Sequence, residues 1–170
     1  IVLIGMSGCG KSTIGKLVAD KLGKTFVDTD VKIIEKIGMS IADYFAVYGE
    51  ASFREIETQV IQELAGERGL VISTGGGVVK DPYNLSLLKL NGHIIWIHRD
   101  LELLESGEGR PLAPDAEATR KLYAERLPLY TAAAESIAEN NGTEKDGVCA
   151  VLTAFQKMNQ SATKPPVSFV

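Results

Sequence analysis

Gly5-Met6-Ser7-Gly8-Cys9-Gly10-Lys11-Ser12 sets three glycines, a lysine and two hydroxyls directly behind the apolar residues 1–4. The order fits G-x-x-x-x-G-K-[ST], a pattern that depends on position as well as on composition. Polyphosphate needs many hydrogen-bond donors at close range. Glycine lets backbone N–H groups approach without a Cβ in the way, and a helix opening at Lys11 offers its positive end. In such a loop Gly8, Cys9, Gly10, Lys11, Ser12 and Thr13 face a nucleoside triphosphate. Lys11 reaches the β- and γ-phosphates, and the Ser12 hydroxyl ligates Mg2+. The bland alternative is a simple strand-to-helix turn. Cys9 fills a free position of the pattern, so no thiol chemistry is expected of it.

Three further stretches carry polar chemistry. Asp28-Thr29-Asp30 follows an apolar run, and residues two apart in an extended segment face the same way. The carboxyl ends of strands form the ligand edge of an open α/β sheet. There, one carboxylate can hold the metal, directly or through water, while the other accepts the proton of an attacking hydroxyl. The structural alternative is that Asp30 caps the next helix. Arg54 and Glu57 lie three apart beside the apolar stripe Phe53, Ile56, Val60 and Leu64, either as a functional pair or as a solvated one. Gly75-Gly76-Gly77 ends another apolar run and would let a substrate approach the backbone closely. Arg126 precedes Pro128, which should end, kink or restart a helix.

Positioning these residues requires alternating elements. Short β-branched runs predict strands over 1–4, 25–28, 70–74 and 94–98, with a weaker one over 136–139. Apolar residues at three-to-four spacing predict helices over 11–22, 50–68 and 81–90. Such alternation implies right-handed βαβ units and a three-layer α/β/α fold with a parallel sheet. Ser40, with Asp43 three residues on and Met39 set to staple against Tyr44, reads as a helix start. Residues 106–118 hold two glycines and two prolines without a core pattern, which suits a mobile lid. Residues 1–158 read as one domain and 159–170 as a polar tail or linker. His93 and His98 are expected to be structural, Trp96 to lie in the core, and Cys149 to pack on the apolar face of a late helix.

A net charge of −4 over 170 residues gives no footprint for nucleic acid or an anionic membrane. No apolar run reaches membrane-spanning length, and no basic-led signal peptide is visible. Two cysteines, outside any metal-binding spacing, build no disulfide framework, so a reducing cytoplasm is expected. The chain begins without methionine, consistent with a piece of a longer multidomain polypeptide; in isolation it is expected to be a monomer.

The ordered set of Gly-Met-Ser-Gly-Cys-Gly-Lys-Ser-Thr at 5–13, Asp-Thr-Asp at 28–30, Phe-Arg-Glu-Ile-Glu at 53–57, Ser-Thr-Gly-Gly-Gly at 73–77, Gly-Arg-Pro-Leu at 109–112 and Arg-Leu-Pro-Leu-Tyr at 126–130 resembles the shikimate kinase family. The likeness spans residues 1 to about 134. It implies ATP-dependent phosphorylation of the 3-hydroxyl of shikimate, on the way to chorismate and the aromatic amino acids. It also implies a P-loop kinase fold, nucleoside-monophosphate-kinase-like, with a five-stranded parallel sheet in the order 2-3-1-4-5 and a mobile lid.

By this resemblance Asp30 binds the shikimate hydroxyls and is the candidate base. Arg54 and Arg126 clamp the carboxylate, and Glu57 orients Arg54. Gly76, flanked by Gly75 and Gly77, donates a backbone N–H to the substrate. Asp28 holds Mg2+ through water, and Arg110 swings with the lid onto the ATP phosphates, completing a catalytic set with Asp30 and Lys11. Residues 101–109 carry no Lys or Arg, and 139–145 read Glu-Asn-Asn-Gly-Thr-Glu-Lys, which leaves the nucleotide preference open. Two rivals stand beside this reading. One is another small-molecule kinase of the same fold, such as a gluconate-type or nucleoside-monophosphate kinase. The other is a nucleotide-binding module without catalysis, against which the joint presence of Lys11, Asp30, Arg54, Arg110 and Arg126 argues.

Overall fold

In the computed structural model, which describes residues 1–104 and 115–162, the apolar runs form one sheet of five parallel strands. Its order is β2 (Thr25–Asp28), β3 (Leu70–Ser73), β1 (Val2–Ile4), β4 (Ile94–His98) and β5 (Ser136–Glu139). The three inner strands are apolar but for Ser73 and His98 at their carboxyl ends, because both faces are covered: β1 and β3 are wholly buried, as is β4 up to His98. Ile94, Ile95 and Ile97 are fully buried. Each stabilises the fold by roughly 1.5–3 kcal/mol relative to exposure.

Among the described residues six α-helices surround the sheet: α1 (Lys11–Leu22), α2 (Thr29–Ile37), α3 (Ile41–Ala65), α4 (Pro82–Lys89), α5 (Ala116–Ala133) and α6 (Glu144–Ala162). Register fixes the faces. Gly15 of α1 lies over Leu3, which pairs with Ile95, so α1 and its neighbour α6 cover that side. Trp96 pairs with Ile4 and therefore points the other way, where its ring stacks on Tyr130 of α5 at 5.7 Å. The phosphate-loop sequence joins β1 to α1, and the glycine triplet follows β3, so both emerge at the carboxyl edge of adjacent strands.

The sheet order and most element bounds agree with the sequence reading, and the differences have local causes. Ser40 caps α3 as expected, its hydroxyl accepting the Asp43 N–H at 3.0 Å. The helix expected over 50–68 ends at Ala65, before Gly66, and it continues back to Ile41 across a kink at Gly49, where φ is 78°. Pro128 neither ends nor restarts α5, which runs through it to Ala133. The expected lid loop over 106–118 is shortened at its far end, because Asp115 caps α5 and Ala116 begins it; 105–114 lie outside the described residues. Helix α6 carries on past Met158 to Ala162, four residues into the expected tail. Cys149 is exposed, and not packed as expected: Val148 and Val151 turn inward from α6 in its place. No helix among the described residues is long and apolar enough to cross a membrane.

Candidate active site

The loop between β1 and α1 is built around Lys11. Gly5, Gly8 and Gly10 take positive φ angles of 144°, 82° and 99°, conformations that side chains disfavour. Gly10 is the N-cap of α1 with no side-chain cap, so the first N–H groups of that helix remain available as donors. Lys11 is buried; its Nζ donates to the carbonyls of Gly5 (2.9 Å) and Met6 (2.8 Å), which holds the ammonium over the loop. The Ser12 hydroxyl donates to Asp28 Oδ2 at 2.6 Å and lies 3.3 Å from the Ser73 hydroxyl. Cys9 is buried within the loop.

The two aspartates sit together, but for a different reason than the sequence suggested. Only Asp28 is in the strand; helix α2 already begins at Thr29, so Asp30 is helical. Asp28 is the residue that caps, its Oδ1 accepting the Asp30 N–H at 3.0 Å. Its other oxygen is thereby left for Ser12. Burial, followed by the neighbouring Asp28 carboxylate, pushes the Asp30 carboxyl above its usual range, while Lys11 and Arg54 pull it back.

The glycine triplet is where the remaining groups converge. A Cβ on Gly75 would stand 2.8 Å from Asp30 Oδ1 and 3.1 Å from Glu57 Oε1. On Gly76 it would stand 3.1 Å from an Arg126 guanidinium nitrogen and 3.2 Å from both the backbone nitrogen and hydroxyl of Ser7. On Gly77 it would strike the Arg54 guanidinium at 2.4 Å. The three missing side chains therefore make room for two carboxylates, two guanidinium groups and the phosphate loop. Arg54 is gripped from both sides, its Nη1 donating to Glu57 at 2.7 Å and its Nη2 to Glu50 at 3.0 Å. Glu57 is held up by burial against the pull of Arg54.

Arg126 is buried on α5, and Tyr130, one turn further on, donates its hydroxyl to the Gly76 carbonyl. Among the described residues, Glu57 Oε1 and Arg126 Nε are buried without a hydrogen-bond partner. Buried polar atoms left without a partner are costly, and both amide atoms of Asn84 share that state.

The structure thus brings together Lys11, Ser12, Asp28, Asp30, Arg54, Glu57, Arg126 and the triplet. Arg110 lies outside the described residues. Among the described residues no three His, Cys, Asp or Glu side chains gather as a metal site. Ser12 and Asp28 do supply two adjacent oxygens, which suits Mg2+, an ion that usually keeps waters and borrows phosphate oxygens. Sequence reasoning missed Glu50, Lys80 and Asn140. Glu50 stands four residues before Arg54 on one helix, a spacing that could have flagged it. Lys80, which reaches Glu50 at 3.2 Å across the fold, and Asn140, whose amide reaches the Cys9 carbonyl, left no local signal.

Comparison with known proteins adds an independent line. The family model described as shikimate kinase matches residues 7–157. A shikimate kinase of Sulfurihydrogenibium is 38% identical over 162 residues, covering 92% of this chain and 98% of its own. The structure of a shikimate kinase from Acinetobacter baumannii in complex with shikimate superposes with a TM-score of 0.87 at 31% identity, over 96% of this chain and 94% of the other. A gluconokinase from Sinorhizobium meliloti shares the fold at a TM-score of 0.59 and 15% identity. With 92% of this chain and 98% of the Sulfurihydrogenibium enzyme aligned and the family model matching residues 7–157, the chain belongs to the shikimate kinase family.

Proposed function

We propose that this protein transfers the γ-phosphoryl group of ATP to the 3-hydroxyl of shikimate, a step toward chorismate and the aromatic amino acids. The observation that carries the reading is the glycine triplet: Asp30, Arg126 and Arg54 each crowd one glycine, and Ser7 of the phosphate loop crowds the middle one. An acid-gripping pocket and a triphosphate cradle therefore share a wall. Phosphoryl transfer asks mainly for alignment and charge neutralisation, which such a wall supplies.

In this account Arg54 and Arg126 clamp the substrate carboxylate, since guanidinium forks fix orientation as well as charge. Glu57 and Glu50 hold Arg54 in its rotamer. Asp30 takes the proton of the attacking hydroxyl, and its raised carboxyl pKa makes it a better base than an ordinary aspartate. Lys11 turns from the Gly5 and Met6 carbonyls to the transferring phosphoryl group, and the N–H groups around Gly10 hold the phosphate oxygens. Ser12 and Asp28 would hold Mg2+, Asp28 through water, and bound Mg2+ neutralises developing phosphate charge. Arg110 delivers a further positive charge from the lid. The enzyme works in the cytoplasm as a monomer.

A coupled ADP-release assay with shikimate, gluconate and AMP as acceptors tests the reading. Shikimate alone should support rapid turnover. Preference for gluconate would move the protein to the gluconate-type kinases, and turnover with none would make it a nucleotide-binding module.

A further inference from the structure

Asn140 stands just past β5, on the far side of β4 from β1, and is buried although polar. Its backbone N–H donates to the His98 carbonyl, which fixes the residue against β4. Its side-chain Nδ2 donates to the Cys9 carbonyl at 2.8 Å, within the phosphate loop and 131 positions away in sequence. The contact is tight on both sides. A Cβ on Gly10 would lie 2.6 Å from Asn140 Nδ2, and a Cβ on Gly147 of α6 would lie 2.4 Å from Asn140 Oδ1. Two glycines from separate elements thus enclose a single amide.

The geometry of the peptide unit gives that contact a consequence. No peptide bond among the described residues is cis, so the Cys9 carbonyl and the Gly10 N–H point in opposite directions from one rigid plane. Fixing the carbonyl on Asn140 fixes the Gly10 N–H facing away from Asn140. No acceptor among the described residues takes that N–H. The plane also needs an anchor, because Gly10 at φ 99° has no Cβ to restrain it.

We infer that Asn140 is a positioning residue for phosphoryl transfer: by holding the Cys9–Gly10 peptide it aims the Gly10 N–H into the phosphate cradle. The inference rests on reading residues 5–12 as that cradle. Asn140 touches no phosphate itself; it acts through the loop. A misaimed peptide would present its carbonyl oxygen near the phosphates and lose a donor at once, a loss confined to polyphosphate.

The test compares inorganic tripolyphosphate with ATP, both with Mg2+, by calorimetric titration of the wild type, Asn140→Ala and Asn140→Leu, the second filling the site without a donor. Affinity for both ligands should fall by the same factor, about five- to ten-fold for one lost hydrogen bond. The KM for shikimate should stay within about twofold of wild type while the KM for ATP rises. In the wild type, tripolyphosphate should shift the Gly10 amide proton resonance, a readout that survives even if neither variant folds. An unmoved Gly10 resonance overturns the inference. So does a folded variant with undiminished tripolyphosphate affinity, or a loss seen with ATP alone, which would place Asn140 at the base. Failure of the wild type to bind tripolyphosphate in a Lys11-dependent manner is a different result: it overturns the cradle reading, and the inference with it.

Discussion

Two glycine-rich segments face each other across the site, and only the first needs glycine for its backbone conformation as well as for space. In the phosphate loop Gly5, Gly8 and Gly10 all adopt positive φ, so the backbone itself requires them. In the triplet none of Gly75, Gly76 and Gly77 does so. There the requirement is space, because Asp30, Arg126 and Arg54 occupy the positions their side chains would fill. One segment is shaped by its backbone and the other clears room for charged side chains. Damage to the first should therefore appear in nucleotide binding, and damage to the second in handling of the acceptor.

The largest effect should come from Asp30→Asn, on the triplet side. Turnover should fall by about 10²–10⁴, the usual contribution of a positioned base, with ATP affinity near wild type. Stability should move the other way. The Asp30 pKa is raised in the folded chain, so its favourable contribution is present below the unfolded value and is lost as pH rises through the folded one. At neutral pH Asp30→Asn should therefore melt no lower than wild type. For the same reason the acid limb of kcat/KM should sit above the ordinary aspartate pKa of about 4. A large drop in melting temperature, or unchanged turnover, would remove Asp30 from its role.

Gly77→Ala should rank next. Its Cβ would meet the Arg54 guanidinium, so the KM for shikimate should rise by about ten-fold or more, the scale of one charge-assisted contact. ATP affinity should change little. Gly8→Ala is the mirror experiment: at φ 82° the added strain is roughly 1–2 kcal/mol, which should weaken ATP binding about ten-fold and leave shikimate binding intact. If either variant affected both ligands equally, the two segments would not divide the work. The smallest effect belongs to Lys80→Met. It removes a half-exposed partner of Glu50 at 3.2 Å, and a surface pair of this kind should raise the shikimate KM about twofold at most.

How far the sequence could be read follows from the range of the forces involved. The bounds of α1, β2, β4 and β5 are legible because apolar periodicity and β-branching are local. So is the capping of α3 by Ser40. Asp28 and Asp30 were paired correctly for an incorrect reason, since the start of α2 at Thr29 depends on the Asp28 cap and not on an extended segment. Cys149 was misplaced because the apolar face of α6 is set by its docking on β5 and α1. Asn140 was invisible because its partner, the Cys9 carbonyl, carries no side-chain signal at all. The motifs name the residues; only the fold shows that the three glycines of the triplet each make room for a different one.

The shared cleft is the claim on which everything else stands, and a crystal structure of the complex with ADP, Mg2+ and shikimate tests it most directly. The shikimate carboxylate should lie between Arg54 and Arg126, with its 3-hydroxyl against Asp30 and facing the nucleotide held over Lys11. A carboxylate bound away from both arginines, or a hydroxyl turned from the phosphate loop, would contradict the account.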